Sequence, residues 1–133
     1  MNTPFFRIAE EPIQVEEVIG LVRRREAGAV TVFMGTVREW TEGVRTSYLD
    51  YDAYQPMAVK MMERIGAEVQ EHWPHTSIAM AHRVGRVAIS DIAVVIAVSS
   101  PHRKEAYEAN QYAIDRIKEI VPIWKEEGKG DGA

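Results

Sequence analysis

The spacing of apolar residues along the chain predicts a succession of strands and three helices. Alternating apolar and polar residues, or dense β-branched residues, predict strands at residues 5–8, 29–37, 47–54, 78–84 and 92–99. Apolar residues recurring every three or four positions predict helices between Pro12 and Gly28, over residues 57–73 and over residues 101–121. This order is typical of the α+β class with a mostly antiparallel sheet.

Two further patterns set the expected pairing and limits of this fold. The polar loop 39–45 joins two predicted strands, so strands 29–37 and 47–54 are expected to form an antiparallel pair. The glycine-rich residues 128–133 show neither strand nor helix periodicity and are expected to form a flexible tail. We therefore expect a single domain over residues 1–127 followed by that tail.

The composition mainly excludes kinds of site and classes of protein. The 133 residues include no cysteine, which excludes disulfides, thiolate zinc sites, iron–sulfur clusters, a cysteine nucleophile and a persulfide carried on the chain. A net charge of −4 offers no attraction to nucleic acid or an anionic membrane. The longest apolar run, residues 92–98, is too short to span a bilayer, and no signal-peptide pattern is evident. A cytoplasmic protein is expected.

The histidines do not form a metal-binding pattern. His72 and His75 are separated by Pro74, which breaks the helix that they would have to share. His82 falls in the apolar series of a predicted strand, where a structural histidine is commoner than a metal ligand. No Gly-x-Ser-x-Gly nucleophile elbow is present. We expect no metal and no cofactor.

The segment from Ser99 to Arg103 joins the most apolar strand to the last predicted helix. Ser100 is suited to cap that helix and Pro101 to occupy its first turn. The free amides there, together with the side chains of His102 and Arg103, could bind an anion. They could equally be the surface residues of an ordinary capped helix, and the sequence leaves both interpretations open.

Two lysines flank a second candidate segment. Lys118 and Lys125 are two helical turns apart, but Pro122 is expected to end the helix just after Lys118. Lysines near a helix C-terminus commonly only complement the helix dipole. Here, however, the apolar Pro-Ile-Trp run holds Lys125 in a segment that would otherwise be an exposed tail. Arg38, at the end of a predicted strand, could clamp a phosphate or be an edge charge.

Taken in order, these segments resemble the large, catalytic subunit family of molybdopterin synthase. The resemblance extends over about residues 5–127, and its motifs are specific as a set. The matching stretches are residues 28–29, 33–38, 43, 49–54, 57–58, 82–85, 99–103 and 113–125.

The resemblance implies a sulfurtransferase with an α/β hammerhead-type fold. Members form a homodimer in which each large subunit binds a small ubiquitin-like sulfur carrier, giving a heterotetramer. The carrier's C-terminal Gly-Gly thiocarboxylate enters the active site. Two sulfurs are transferred to cyclic pyranopterin monophosphate, which opens its cyclic phosphate and produces the dithiolene of molybdopterin.

The resemblance also implies roles for individual residues. Lys118 and Lys125 match the catalytic lysines, and we take Lys118 as the principal general acid/base with Lys125 assisting or holding the anion. Some of the substrate-binding residues reach the pocket from the neighbouring subunit. The predicted substrate-binding residues are Thr36, Val37, Arg38, His102, Arg103, Glu126 and Glu127.

Many members have a second basic residue directly after the position of Lys125, where this chain has Glu126 and Glu127.

Two alternative functions stay open from the residues alone. One is a lysine Schiff-base enzyme acting on a phosphorylated carbonyl compound. The other is a non-enzymatic dimeric module that binds an anion or a nucleotide at the start of the last helix.

Overall fold

The computed structural model describes residues 4–129. The elements in chain order are β1 (Phe6–Ala9), α1 (Val15–Val22), β2 (Ala29–Thr36), β3 (Trp40–Thr41), β4 (Val44–Ala53), α2 (Gln55–His72), β5 (Ser77–Arg83), β6 (Gly85–Ala88), β7 (Ile92–Ser100), α3 (Arg103–Ile120) and β8 (Ile123–Lys129).

The first sheet has the strand order β1-β5-β7-β2 and carries all three helices. β1 runs parallel to β5, whereas β5, β7 and β2 pair antiparallel. β5 and β7 lie in the centre and are buried along nearly their whole length, which explains their continuous apolar runs. α2 and α3 cover one face of this sheet and α1 covers part of the other. None of the helices within residues 4–129 is long and apolar enough to cross a membrane.

The second sheet is built around β4. The middle of β4 pairs antiparallel with β6 on one side and with β8 on the other, and its start pairs with β3. A small core of Val37, Leu49 and Val87 closes this part of the molecule. The predicted α+β class, with three helices and mostly antiparallel strands, is confirmed. The extent of the domain, residues 1–127, stays a prediction.

The predicted antiparallel pair of strands 29–37 and 47–54 is wrong. β2 pairs with β7 in the first sheet, and β4 belongs to the second sheet. The loop itself supplies the hairpin, because β3 pairs with β4 across the two residues Glu42 and Gly43. Both have positive φ, 49° and 82°, as the tight two-residue hairpin turn requires.

Two helix boundaries also differ from the prediction. α1 ends at Val22, six residues before Gly28, and an extended Arg23 caps it. α3 begins at Arg103, with His102 as the N-terminal cap, so Ser100 is not the cap. Ser100 cannot cap the helix because it still belongs to β7, where it pairs with Ala29 of β2.

Three strands were not predicted, the first being the short hairpin strand β3 within the predicted loop. β6 is short, and its residues lie between turn signals that hide its pairing with β4. β8 continues through Gly128 and Lys129, which the sequence assigned to the tail. Gly128 lies against the Tyr48 ring, where an added Cβ would come within 2.2 Å of ring carbon, so any larger residue would have to displace that ring. The rest of the predicted tail, residues 130–133, lies outside the described residues.

Candidate functional site

A cavity of about 460 Å³ opens where the two sheets meet the end of α3. Most of its wall is apolar, with contributions from Phe33 of β2, Val94 of β7 and Ile117 of α3. The polar side chains that line it come from five different elements. They are Thr36, Tyr51, His82, Lys118 and Lys125.

Pro122 brings the two lysines to the same cavity. α3 ends at Ile120, and the backbone then turns at Pro122, whose carbonyl accepts a hydrogen bond from the Tyr54 amide over 3.3 Å. The chain continues as β8, in which Lys125 lies directly opposite Tyr51 of β4. Lys118 and Lys125 therefore line one cavity although the first lies on a helix and the second on a strand.

The cavity carries positive charge without a balancing acid. Within the described chain, no Asp or Glu lines its wall, while Lys118 and Lys125 do. Both lysines are exposed to solvent, which keeps their ammonium groups available to an incoming ligand. An anion that enters this cavity would meet the two cations against an apolar wall, where screening by water is weaker.

A β-bulge shapes the wall beside Thr36. Gly35 pairs with Val94, but Thr36 pairs with Ile92, so Ala93 of β7 is left without a partner across β2. An added Cβ at Gly35 would lie 2.6 Å from Val94 Cγ1. Glycine at this position therefore lets β2 pass close to β7 and leaves the cavity open.

Tyr51 and His82 are cavity residues that the sequence did not identify as functional. Their rings meet edge to face with centroids 5.0 Å apart. Burial raises the pKa of the Tyr51 phenol. Burial also lowers the pKa of His82, against the opposing effect of its hydrogen bond to the Arg83 carbonyl. The available signals were the alternation of residues 47–54, which includes Tyr51, and the His82 to Gly85 motif.

Several predicted substrate-binding residues lie away from this cavity. Val37 is only 2% exposed and belongs to the second-sheet core, while its amide and carbonyl bond to the turn at Ser90 and Asp91. Arg38 follows it on an exposed segment outside the cavity wall. Glu126 and Glu127 are exposed on β8 beyond Lys125 and do not line the cavity either.

His102 and Arg103 lie at the start of α3, apart from the two lysines. His102 lines a separate groove of about 320 Å³ together with His72, His75 and Glu105. The preceding backbone is anchored, because the Gly28 amide donates a hydrogen bond to the Ser100 carbonyl over 3.0 Å. No group of three His, Asp or Glu side chains within residues 4–129 is placed to hold a metal ion.

Comparison with known proteins identifies the family. The family model described as MoaE protein matches residues 8–120. The molybdopterin synthase catalytic subunit of Bacillus subtilis (strain 168) is 61% identical over 127 residues, which are 96% of this chain and 81% of that protein. The crystal structure of molybdopterin synthase from Staphylococcus aureus superimposes with a TM-score of 0.94 at 58% identity, covering 98% of this chain and 95% of that one.

A more distant likeness concerns a structure of two subunits together. The complex of subunits 1 and 2 of molybdopterin-converting factor from Helicobacter pylori 26695 matches with a TM-score of 0.75 at 20% identity. The match covers 97% of this chain and 92% of that chain. At this identity the likeness shows the shared fold.

Proposed function

The chain belongs to the MoaE protein family, and on that premise we propose that the cavity holding Lys118 and Lys125 is where sulfur is transferred to the substrate. As a member of this family it is an enzyme of molybdopterin biosynthesis. The observation that supports this site is the pair of lysines on one wall with no carboxylate among the described lining residues.

The chemistry of the proposed reaction suits such a wall. The substrate, cyclic pyranopterin monophosphate, carries a phosphate, and the incoming thiocarboxylate is also an anion. Two ammonium groups against apolar side chains can hold both anions and stabilise the charge that develops between them. Lysines on different elements can contact different parts of the substrate at once, because their backbones diverge at Pro122.

Lys118 is our principal general acid/base, and Lys125 assists it or holds the anion. Sulfur transfer moves protons onto and off the substrate, and a lysine amine in the cavity can accept or donate them. Lys118 lies in the last turn of α3, directly after Ile117, which is buried in the core between this helix and the first sheet. We take this rigid support as the reason to assign the proton transfers to Lys118.

Replacing Lys118 by alanine tests the assignment. The protein is mixed with a thiocarboxylated carrier and the cyclic pterin, and dithiolene pterin is read by fluorescence after oxidation. Lys118→Ala should abolish product while the pterin still binds. Lys60→Ala, at an exposed lysine of α2 outside the cavity, is the matched control and should behave as wild type. Near-normal turnover by Lys118→Ala would contradict the assignment.

The partner that we propose is a small ubiquitin-like sulfur carrier with a C-terminal Gly-Gly thiocarboxylate. The support is the charge of the cavity and the family to which the chain belongs; the Helicobacter pylori protein in the two-subunit complex shares its fold. The two proteins should co-elute in size-exclusion chromatography. A carrier that lacks the terminal Gly-Gly should yield no dithiolene pterin even when it is in excess.

We also propose that two copies of the chain form a homodimer, in which Arg38, His102 and Arg103 reach the neighbouring cavity. β2 is at the edge of the first sheet, and α1 leaves its outer apolar residues uncovered. Val30, Val32 and Met34 are 40%, 37% and 50% exposed on one side of this strand. An apolar edge strand of this kind favours pairing with another chain.

Val32→Lys tests the homodimer, because a lysine on the edge strand opposes pairing. Sedimentation velocity should show a dimer for the wild type and a monomer for Val32→Lys. Val44→Lys, at a more exposed valine of β4, is the control and should stay dimeric. A monomeric wild-type protein would exclude a site shared between two copies.

Nothing in the cavity favours the Schiff-base enzyme or the anion-binding module over the family's activity. A cytoplasmic location stays a prediction from the sequence.

A further inference from the structure

His82 holds its ring in one orientation at the cavity wall. It lies on the central strand β5, between Ile8 of β1 and Val94 of β7, and is 7% exposed. Tyr51 packs against the ring with an interplanar angle of 71°. These contacts leave the side chain little freedom to rotate, so the same edge of the ring stays turned towards the cavity.

The hydrogen bond of one ring nitrogen determines the state of the other. His82 Nδ1 lies 2.7 Å from the Arg83 carbonyl oxygen. A carbonyl only accepts hydrogen bonds, so Nδ1 carries the proton and donates it. In the neutral ring, Nε2 is then unprotonated and can only accept.

Nε2 has no hydrogen-bond partner among the described residues and is not fully buried. The fully buried side-chain polar atoms that lack a partner within residues 4–129 are Arg83 Nε, Glu105 Oε2 and Asn110 Oδ1. His82 Nε2 is not one of them, and His82 lines the cavity, so this acceptor faces the space that a ligand would fill.

We propose that His82 Nε2 contacts the substrate by accepting a hydrogen bond from an N–H group of the pterin ring system. This inference rests on the proposed function of the cavity. The lysines supply only donors, and the hydroxyls of Thr36 and Tyr51 can both donate and accept. Among the described lining side chains, His82 alone offers an acceptor that carries no proton and so can only accept from an N–H group of the ring. The lysines bind the anionic end, and His82 orients the heterocycle.

Two substitutions separate the acceptor from the rest of the ring. His82→Asn places an amide N–H near the Nδ1 position, keeping the bond to the Arg83 carbonyl, and has nothing at the Nε2 position. His82→Gln reaches the Nε2 position with an amide that can accept. Binding of the cyclic pterin is measured directly by calorimetry without carrier, and turnover is measured with it.

His82→Asn should raise the Kd and KM for the pterin about tenfold, the effect of losing one buried hydrogen bond. Its kcat and its KM for the carrier should stay within about threefold of wild type, and His82→Gln should restore most of the pterin affinity. Wild-type pterin affinity in His82→Asn, or equal losses in both variants, would overturn the proposal. If the wild type binds pterin but forms no dithiolene, the proposed function fails while the His82 contact is still tested by binding.

A measurement on the wild-type protein avoids any folding defect of the variants. In ¹⁵N-histidine NMR, the His82 Nε2 resonance should lie at the position of an unprotonated nitrogen. It should shift when saturating cyclic pterin is added, because a hydrogen bond to Nε2 changes its shielding. A protonated Nε2, or a resonance that does not move on saturation, would overturn the proposal.

Discussion

The contact between Gly28 and Pro101 determines where the His102 and Arg103 side chains start. The Gly28 amide donates to the Ser100 carbonyl over 3.0 Å. A Cβ added at residue 28 would lie 2.7 Å from the Pro101 carbonyl oxygen, well inside ordinary contact distance. Gly28→Ala must therefore move this backbone segment by about half an ångström or more, since no flexible side chain can yield instead.

This displacement should affect stability and activity together. Overpacking of this kind costs about 1–3 kcal/mol, and in a chain of 133 residues each kcal/mol lowers Tm by about 3–4 °C. A misplacement of about 1 Å in a substrate-positioning group can cost up to about 100-fold in rate, so half of that should lower kcat/KM about tenfold. Thermal unfolding followed by circular dichroism measures the first effect, and dithiolene formation at saturating carrier measures the second.

Gly20→Ala is the matched control, because nothing lies within 4 Å of a Cβ at this exposed position of α1. It should raise stability by about 0.5–1 kcal/mol and leave kcat/KM unchanged. If Gly28→Ala unfolds like wild type, the steric reasoning is refuted. If it is destabilised but keeps wild-type kcat/KM, the segment carrying His102 and Arg103 does not contribute to the site.

Two further substitutions test the links of α3, one to α2 through Glu68 and one to the first sheet through Asn110. Hydrogen bonds from Arg116, at 2.9 and 3.0 Å, and from the Tyr112 hydroxyl, at 2.6 Å, lower the pKa of Glu68 to about 2 from the usual 4.5. The carboxylate therefore contributes stability above about pH 4.5, and this stability is lost as pH falls towards 2. Glu68→Gln should lower the free energy of unfolding, measured in urea at pH 7, by about 1–2 kcal/mol. A difference from wild type that does not shrink between pH 5 and 3 would contradict this. Asn110 Nδ2 lies 3.1–3.2 Å from Thr31 Oγ1, Thr31 O and Ile96 O, and so links α3 to β2. Asn110→Ala should lower the free energy of unfolding by about 2–3 kcal/mol and speed amide hydrogen exchange in β2. Unchanged exchange in β2 would exclude this link.

The parts of the fold that could be predicted are those that local pattern determines. β7 is a continuous β-branched run because both of its faces are buried, and α2 shows a clear apolar stripe ended near Pro74. The strand pairing could not be predicted, because the sequence next to a loop does not say whether the following strand stays in the same sheet. The chain passes into the second sheet between β2 and β3. Apart from the two-residue hairpin with β3, β4 is held there by long-range pairing with β6 and β8.

The candidate site was predictable in its residue types and not in its assembly. Lys118 and Lys125 were identified from their spacing and the resemblance, but Tyr51 and His82 enter the cavity only through the approach of the two sheets. Val37, in contrast, was predicted to bind substrate and does not line the cavity. Thr36, the residue before it, lines the cavity, yet the Val37 side chain lies in the core beside Leu49 and Val87.

The geometry of the lysine pair depends on a residue that carries no chemistry of its own. Had α3 continued, Lys125 would lie about 10 Å further along the helix axis than Lys118, at a rise of about 1.5 Å per residue. Pro122 ends the helix instead, and the pairing of Lys125 with Tyr51 in β8 returns the chain to the cavity. A spacing of seven residues therefore indicates a shared site here only because a proline lies within it. The same lysines on an unbroken helix would not share the wall with Tyr51 and His82.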